Sequence, residues 1–251
     1  MKKRTVDIAV STDPVKDYQE LLEYAKSMQG MADLLHCDIM DGKFVEHTTF
    51  DSRFVAKINS QTLIPLDVHL MTVEPLATLE EYLKAGANIV TVHYEAFKNK
   101  KDLIAAFKLI RSYHALAGLS FKPNTSISEV KSFLFYVDVV LLMSVEPGIS
   151  GQQLIESTYE RLRQLSDIRF DNKLNFKIEI DGGVNDKNAH LLSELGADIL
   201  VSGNFVYKAP DREKAIKKLK KYLSLLANNY EYVNVVWHGG EPLMAPMDYY
   251  E

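Results

Sequence analysis

Cysteine is nearly absent from this chain: one thiol, Cys37, stands among 251 residues. A single cysteine excludes an intrachain disulfide framework, so an apolar core has to carry the fold, and the expected setting is a reducing compartment, the cytoplasm. No apolar run approaches the ~18 residues of a membrane span, and no apolar signal-peptide segment follows the basic start "MKKR". Positive charge is not in excess either. The 29 lysines and arginines face 34 aspartates and glutamates, for a formal net charge of −5. That balance speaks against nucleic acid or an anionic membrane as the partner. The basic runs "MKKR" and "KAIKKLKKY" read as a solvated terminus and a solvated helix face. Also missing is a G-x-G-x-x-G after any early strand, which argues against an open dinucleotide-binding sheet.

What is present is an ordinary globular composition, 47% hydrophobic and 25% charged, at a length that suits one α/β barrel or two small domains. Short apolar runs predict strands over 6–11, 34–40, 66–71, 89–94, 117–121, 139–144, 176–180 and 199–202. Amphipathic stretches between them predict helices near 15–29, 52–59, 75–85, 101–114, 128–136, 155–167, 186–195 and 211–226. "SISE" at Ser126 to Glu129 is a capping-box pattern, and Pro75 suits a first turn. "GMADLLHCD", "AGANIVTVH" and "LGADILVSG" repeat one theme: glycine, a short linker with Asp or Asn, then an apolar strand. Glycine there fits the position just past a helix end. Eight such helix–strand alternations predict a closed (β/α)8 TIM barrel over 1–226, with an open doubly wound sheet as the alternative and a short C-terminal extension over 227–251.

In such a barrel the chemistry gathers at the C-terminal strand ends. Side chains alternate along a strand, so His36, Asp38 and Met40 share one face of the second, while Cys37 and Ile39 take the other. Asp67, His69 and Met71 share a face of the third. With Asp181 from the seventh, the set His36, Asp38, His69, Asp181 is a candidate His2Asp2 metal site. Imidazole with carboxylate suits one divalent ion of zinc, iron, manganese or cobalt rather than magnesium or calcium. A bound cation would also offset the cost of burying such polar groups. His93 and Asp67 read as orienting or structural residues, Asp67 as structural, and Cys37 as an inert core thiol. Glycine-bearing loops, "PGISG", "DGG" and "SGN", follow strands six, seven and eight. Together with Ser150 and Asn204 they form a candidate phosphate cradle.

"HCDIMDGKFV", "LDVHLMTVEP", "LLMSVEPGISGQ", "IEIDGGV" and "GADILVSGNFVY" resemble, in order and spacing, the motifs of ribulose-phosphate 3-epimerases over about residues 6–226. The resemblance implies a metal-dependent isomerase of the pentose phosphate pathway that inverts C3 of a ketose phosphate through an enediolate. D-ribulose 5-phosphate and D-xylulose 5-phosphate are the expected pair. It makes Asp38 and Asp181 the acid/base pair and His36, Asp38, His69 and Asp181 the metal ligands. Ser11, Met40, His69, Met71, Met143, Gly148, Ile149, Ser150, Gly151, Gly182, Gly183, Gly203 and Asn204 match substrate positions. A homo-oligomer, dimer or hexamer, is implied as well.

Departures cluster around the substrate: "AVSTDPVKD" in the first loop, "FVEHTTFDSR" after the second strand, Glu146, Ser150 and Asn204. They leave D-allulose 6-phosphate as an alternative substrate. A reading of another class is a non-catalytic phosphosugar-binding scaffold. A metal-free decarboxylase on the same barrel is set aside, because His69 stands where that family carries lysine. The tail's "WHGGEPL" resembles a radical S-adenosylmethionine segment, yet no C-x3-C-x2-C accompanies it to ligate a cluster. A fusion remnant, a truncated domain and a docking extension remain open for 227–251.

Overall fold

Each strand of this chain has two apolar-compatible faces, and burying both calls for a sheet closed on itself and wrapped in helices. The computed structural model describes residues 6–229 and has that architecture. Strands β1 (Asp7–Ser11), β2 (Leu34–Met40), β3 (Leu66–Met71), β4 (Ile89–His93), β5 (Leu116–Phe121), β6 (Val139–Met143), β7 (Lys177–Asp181) and β8 (Ile199–Ser202) pair in parallel in chain order. β8 returns to β1, with Ala9 opposite Val201, so the sheet is a closed barrel and not an open one.

Helices α1 (Tyr18–Ser27), α2 (Ser52–Asn59), α3 (Leu79–Lys84), α4 (Lys100–Ser112), α5 (Ile127–Val130), α6 (Thr158–Asp171), α7 (Ala189–Glu194), α8 (Asn204–Tyr207) and α9 (Arg212–Asn229) follow or link the strands. Their starts obey local chemistry. Asp17 accepts from Glu20 N at 2.8 Å, Asn99 from Asp102 N at 2.9 Å, and Ser126 with Glu129 forms the capping box expected at α5. Two expected helices are broken. The segment 75–85 is a 3-10 turn, Pro75–Ala77, and then α3, because Thr78 leaves helical geometry at φ −120°. The segment 128–136 continues from α5 as a 3-10 helix, Lys131–Tyr136. The four-residue α8 after β8 has no counterpart among the expected helices.

The repeated glycine–Asp/Asn–strand theme now has a physical reason. Gly30, Gly86 and Gly196 take positive φ at the ends of helices, where a Cβ would be strained. The following Asp or Asn then reaches back to the preceding strand. Ile8 N donates to Asp33 Oδ2, Leu66 N to Asn88 Oδ1, and Ile178 N to Asp198 Oδ2, each at 2.8 Å. Asp138 does the same for Ala117 N at 2.9 Å. Each side chain satisfies an N–H at the start of a strand, on the barrel floor. Asn88→Ala should therefore lower stability by about 1–3 kcal/mol in urea unfolding, the cost of orphaning a buried donor.

Leu35, Cys37, Ile39, Val68, Leu70, Val90 and Val92 belong to the main apolar cluster shared with the helices, which is why Cys37 is fully buried. Ala9, Leu34, Ile89, Val139, Ile199 and Val201 form a separate inner cluster. Above that inner layer, the alternation along β2, β3 and β7 supplies polar side chains. The end of the expected barrel at 226 lies within α9, and residues 230–251, with "VNVVW" and "WHGGEPL", lie outside the described residues.

Candidate active site

Pairing register brings the polar residues together. His36 is opposite Asp67 and Asp38 opposite His69 across β2 and β3, Ser11 is opposite His36, and Met143 opposite Asp181. His36 Nε2 lies 3.3 Å from Asp38 Oδ1 and 3.9 Å from Asp181 Oδ2. His69 Nδ1 lies 3.1 Å from Asp38 Oδ1 and 3.9 Å from Asp181 Oδ2. One ligand atom from each of His36, Asp38, His69 and Asp181 falls within 4.8 Å of the others. Among the described residues the buried His36 Nε2 makes no hydrogen bond of good geometry, Asp38 Oδ1 at 3.3 Å included, which is how an imidazole nitrogen reserved for a cation looks. Two imidazoles and two carboxylates at this spacing can hold a divalent metal ion.

The rear of each histidine is also engaged. Asp67 Oδ2 is 2.5 Å from His36 Nδ1, and Glu179 Oε1 is 3.4 Å from the same nitrogen. Asp67 is thus an orienting partner of a candidate ligand rather than a structural residue alone. Glu179 is a group the sequence reading missed. Period two from Asp181 along β7 leads straight to it. His69 Nε2 is 2.8 Å from His93 Nε2, whose Nδ1 is 3.3 Å from Glu95 Oε2.

Charges in this layer push one another apart. Burial would raise the Asp38 carboxyl, yet His36 and His69 beside it hold it well below the usual range. Burial, then the charge of Asp38, pushes Asp181 up to about 6. Burial and Asp67 raise Glu179 far above an ordinary carboxyl. Burial would lower His36, but Asp38 and Asp67 together outweigh it and leave the imidazole raised. Glu95 runs the other way. Burial opposes its ionisation, but hydrogen bonds from His93, Thr125 and Lys122 N bring it down to about 2. A carboxyl lowered by folding binds fewer protons folded than unfolded, so its stabilisation is complete above its ordinary value of about 4.3 and is lost as pH falls toward 2. Glu95→Gln should therefore show a flatter profile of unfolding free energy than wild type between about pH 5 and 3.

Asp38 and Asp181 open onto a cavity at the C-terminal end of the strands. Ser11, Met40, Met71, Met143, Gly148, Ile149, Ser150, Gly151, Gly182, Gly183, Gly203 and Asn204 line it, as do Asp13, Gln152 and Asn185, which the sequence did not single out. His36 and His69 are fully buried and lie outside this lining. Ser11 Oγ donates to Asp38 Oδ2 at 3.0 Å and accepts from Asp13 N at 3.1 Å, fixing the carboxyl from the β1 side. Ser144 Oγ sits 2.7 Å from both Asp181 O and Gly182 O, tying the end of β6 to the glycine turn after β7. Asp41 serves the turn leaving β2, its Oδ1 accepting from Lys43 N and Phe44 N at 2.8 Å each. That turn packs against the site: the Phe44 ring lies 4.8 Å from the His93 ring, and Val45 fills the space a Cβ on Gly148 would need, 2.7 Å away.

Comparison with known proteins points the same way. Residues 8–207 match the model of the ribulose-phosphate 3 epimerase family. The ribulose-phosphate 3-epimerase of Aquifex aeolicus is 39% identical over 197 residues, 78% of this chain and 87% of that protein. The chloroplastic ribulose-5-phosphate-3-epimerase of Arabidopsis thaliana is 39% identical over 216 residues, 85% of this chain and 76% of that protein. Among solved structures, the 3-keto-L-gulonate-6-phosphate decarboxylase of Vibrio cholerae superposes with a TM-score of 0.66 at 13% identity, covering 88% of this chain and 98% of that one. Likeness at that identity speaks for the barrel alone. No helix among the described residues is long and apolar enough to cross a membrane. The family match over most of the barrel, with relatives of one activity, carries the conclusion that the chain belongs to the ribulose-phosphate 3 epimerase family and is a ribulose-phosphate 3-epimerase-like enzyme.

Proposed function

We propose that this chain inverts C3 of D-ribulose 5-phosphate to give D-xylulose 5-phosphate by proton transfer at Asp38 and Asp181. The observation that carries the reading is a pair of carboxyls, from β2 and β7, set beside two imidazoles at one end of a glycine-lined cavity. The hydrogen on C3 is acidic because C2 is a carbonyl, and its loss leaves an enediolate. Inversion requires one group to take the proton from one face and a second to return one to the other. Asp38 and Asp181 fill those roles, exchanging them in the reverse direction. Their opposite shifts, one carboxyl lowered and the other raised to about 6, suit a base and an acid working together.

His36 Nε2, His69 Nδ1, Asp38 and Asp181 would hold one divalent ion, of zinc, iron, manganese or cobalt. Bound there, such an ion supplies positive charge against the enediolate. Ser11 orients Asp38 through its hydrogen bond. Met40, Met71 and Met143 wall the reacting carbon with apolar, polarizable surface that excludes water.

The phosphate is assigned to backbone N–H groups of the loops 148–151, 182–183 and 203–204, with Ser150 and Asn204 beside them. Gly183 is the sensitive point. It has φ +67°, and a Cβ there would meet Leu154 N at 2.4 Å. Gly183→Ala should push the loop outward and raise KM for the sugar phosphate about tenfold or more, with a smaller effect on kcat. D-allulose 6-phosphate is the rival substrate, and kcat/KM for the two ketoses decides between them. A preference for the hexulose would replace the substrate named here. Turnover of neither by metal-loaded protein would favour the non-catalytic scaffold.

A further inference from the structure

We infer that His93 and Glu95 are positioning residues that fix the tautomer of His69 and so leave its Nδ1 free to take a cation. The inference rests on the reading that His36, Asp38, His69 and Asp181 hold a divalent ion.

His69 and His93 meet nitrogen to nitrogen, Nε2 to Nε2 at 2.8 Å, in stacked rings with centroids 5.0 Å apart. One of the two nitrogens has to carry a proton and the other a lone pair, since two N–H groups or two lone pairs repel. Which is which is decided one residue further out. His93 Nδ1 is 3.3 Å from Glu95 Oε2, and a carboxylate only accepts, so His93 carries its proton on Nδ1. Its Nε2 is then an acceptor, and His69 donates from Nε2. That leaves the lone pair of His69 on Nδ1, the nitrogen 3.1 Å from Asp38 Oδ1.

The chain is anchored at its outer end. Glu95 Oε1 accepts from Lys122 N at 2.8 Å and from Thr125 Oγ1. The turn after β5 that holds both is strapped by Arg161, which donates to Lys122 O and Thr125 O at 3.1 Å each. His93 is fully buried, with Phe44 on it and Lys122 Nζ 4.7 Å from the Phe44 ring.

Glu95→Gln tests this. Its amide oxygen has to face Lys122 N, so its NH2 faces His93 Nδ1. Both tautomers then reverse, and a proton arrives on His69 Nδ1. The Zn²⁺ dissociation constant of the full-length protein, measured by competition with a chromophoric chelator, should rise about 10–100-fold. Glu95→Asp, which keeps the accepting charge, should lose less. In ¹⁵N NMR of the Zn²⁺-loaded wild type, His69 should be protonated at Nε2 and His93 at Nδ1, a readout that does not depend on any variant folding. Tight Zn²⁺ binding by wild type with equal affinity in Glu95→Gln overturns the inference and leaves the metal site standing, as does the reverse tautomer in wild type. Wild type that binds no Zn²⁺ overturns the metal reading and this inference with it.

Discussion

Asp38→Asn is expected to abolish turnover, with kcat reduced about 10³-fold or more. The amide matches the carboxylate in shape and can still accept from Ser11 Oγ, which lies 3.0 Å from Oδ2. It cannot take a proton from C3, and it is a poor ligand beside two imidazoles. Asp38 is buried among groups that favour its ionised form, so the amide also gives up part of that stabilisation, and turnover has to be compared at a temperature where the variant is folded. Circular dichroism of the metal-free variant should show the wild-type fold, with a lowered thermal midpoint. Turnover near wild type would remove Asp38 from proton transfer.

The second large effect is on stability. His36→Ala deletes the one imidazole that lies among Asp38 at 3.3 Å, Asp67 at 2.5 Å and Glu179 at 3.4 Å. What remains is a set of carboxyls in the barrel interior with no buried counter-charge from β2. Removing one partner of a buried charged pair costs about 3–5 kcal/mol, and the empty space adds to it. Urea unfolding of the metal-free variant should show a loss of that size, and added Zn²⁺ should raise the stability of wild type but not of the variant. A variant as stable as wild type would mean that His36 does not compensate Asp38 and Asp67.

Much of this arrangement is legible in the residues, for definite reasons. β2, β3 and β8 begin and end where apolar periodicity starts and stops, because a strand buried on both faces has to be apolar except where it carries chemistry. His36, Asp38 and His69 break that rule on one face, and barrel geometry explains why all three point to one place. The glycine–Asp/Asn–strand repeat marks the starts of β2, β4 and β8 because each repeat performs the same act, satisfying an N–H at the start of the preceding strand. The less legible parts depend on contacts between elements. Glu179 lies on the same face as Asp181, but nothing in "KIEID" says that its carboxyl meets His36. Glu95 sits in a one-turn helix, Tyr94–Ala96, and its partners Lys122 and Thr125 are 27 and 30 residues away. α8 is too short for any periodicity to reveal it. The packing of Phe44 on His93 and of Val45 on Gly148 depends on a loop that regular patterning does not describe.

The central claim is that Asp38 and Asp181 move a proton at C3 of a pentulose phosphate with a divalent ion present. It is tested most directly by supplying D-ribulose 5-phosphate to the metal-loaded protein in deuterium oxide and following C3 by NMR. Deuterium should appear at C3 together with D-xylulose 5-phosphate, and both signals should vanish in Asp38→Asn. Protein shown to carry its metal that exchanges no C3 hydrogen and forms no D-xylulose 5-phosphate would contradict the claim.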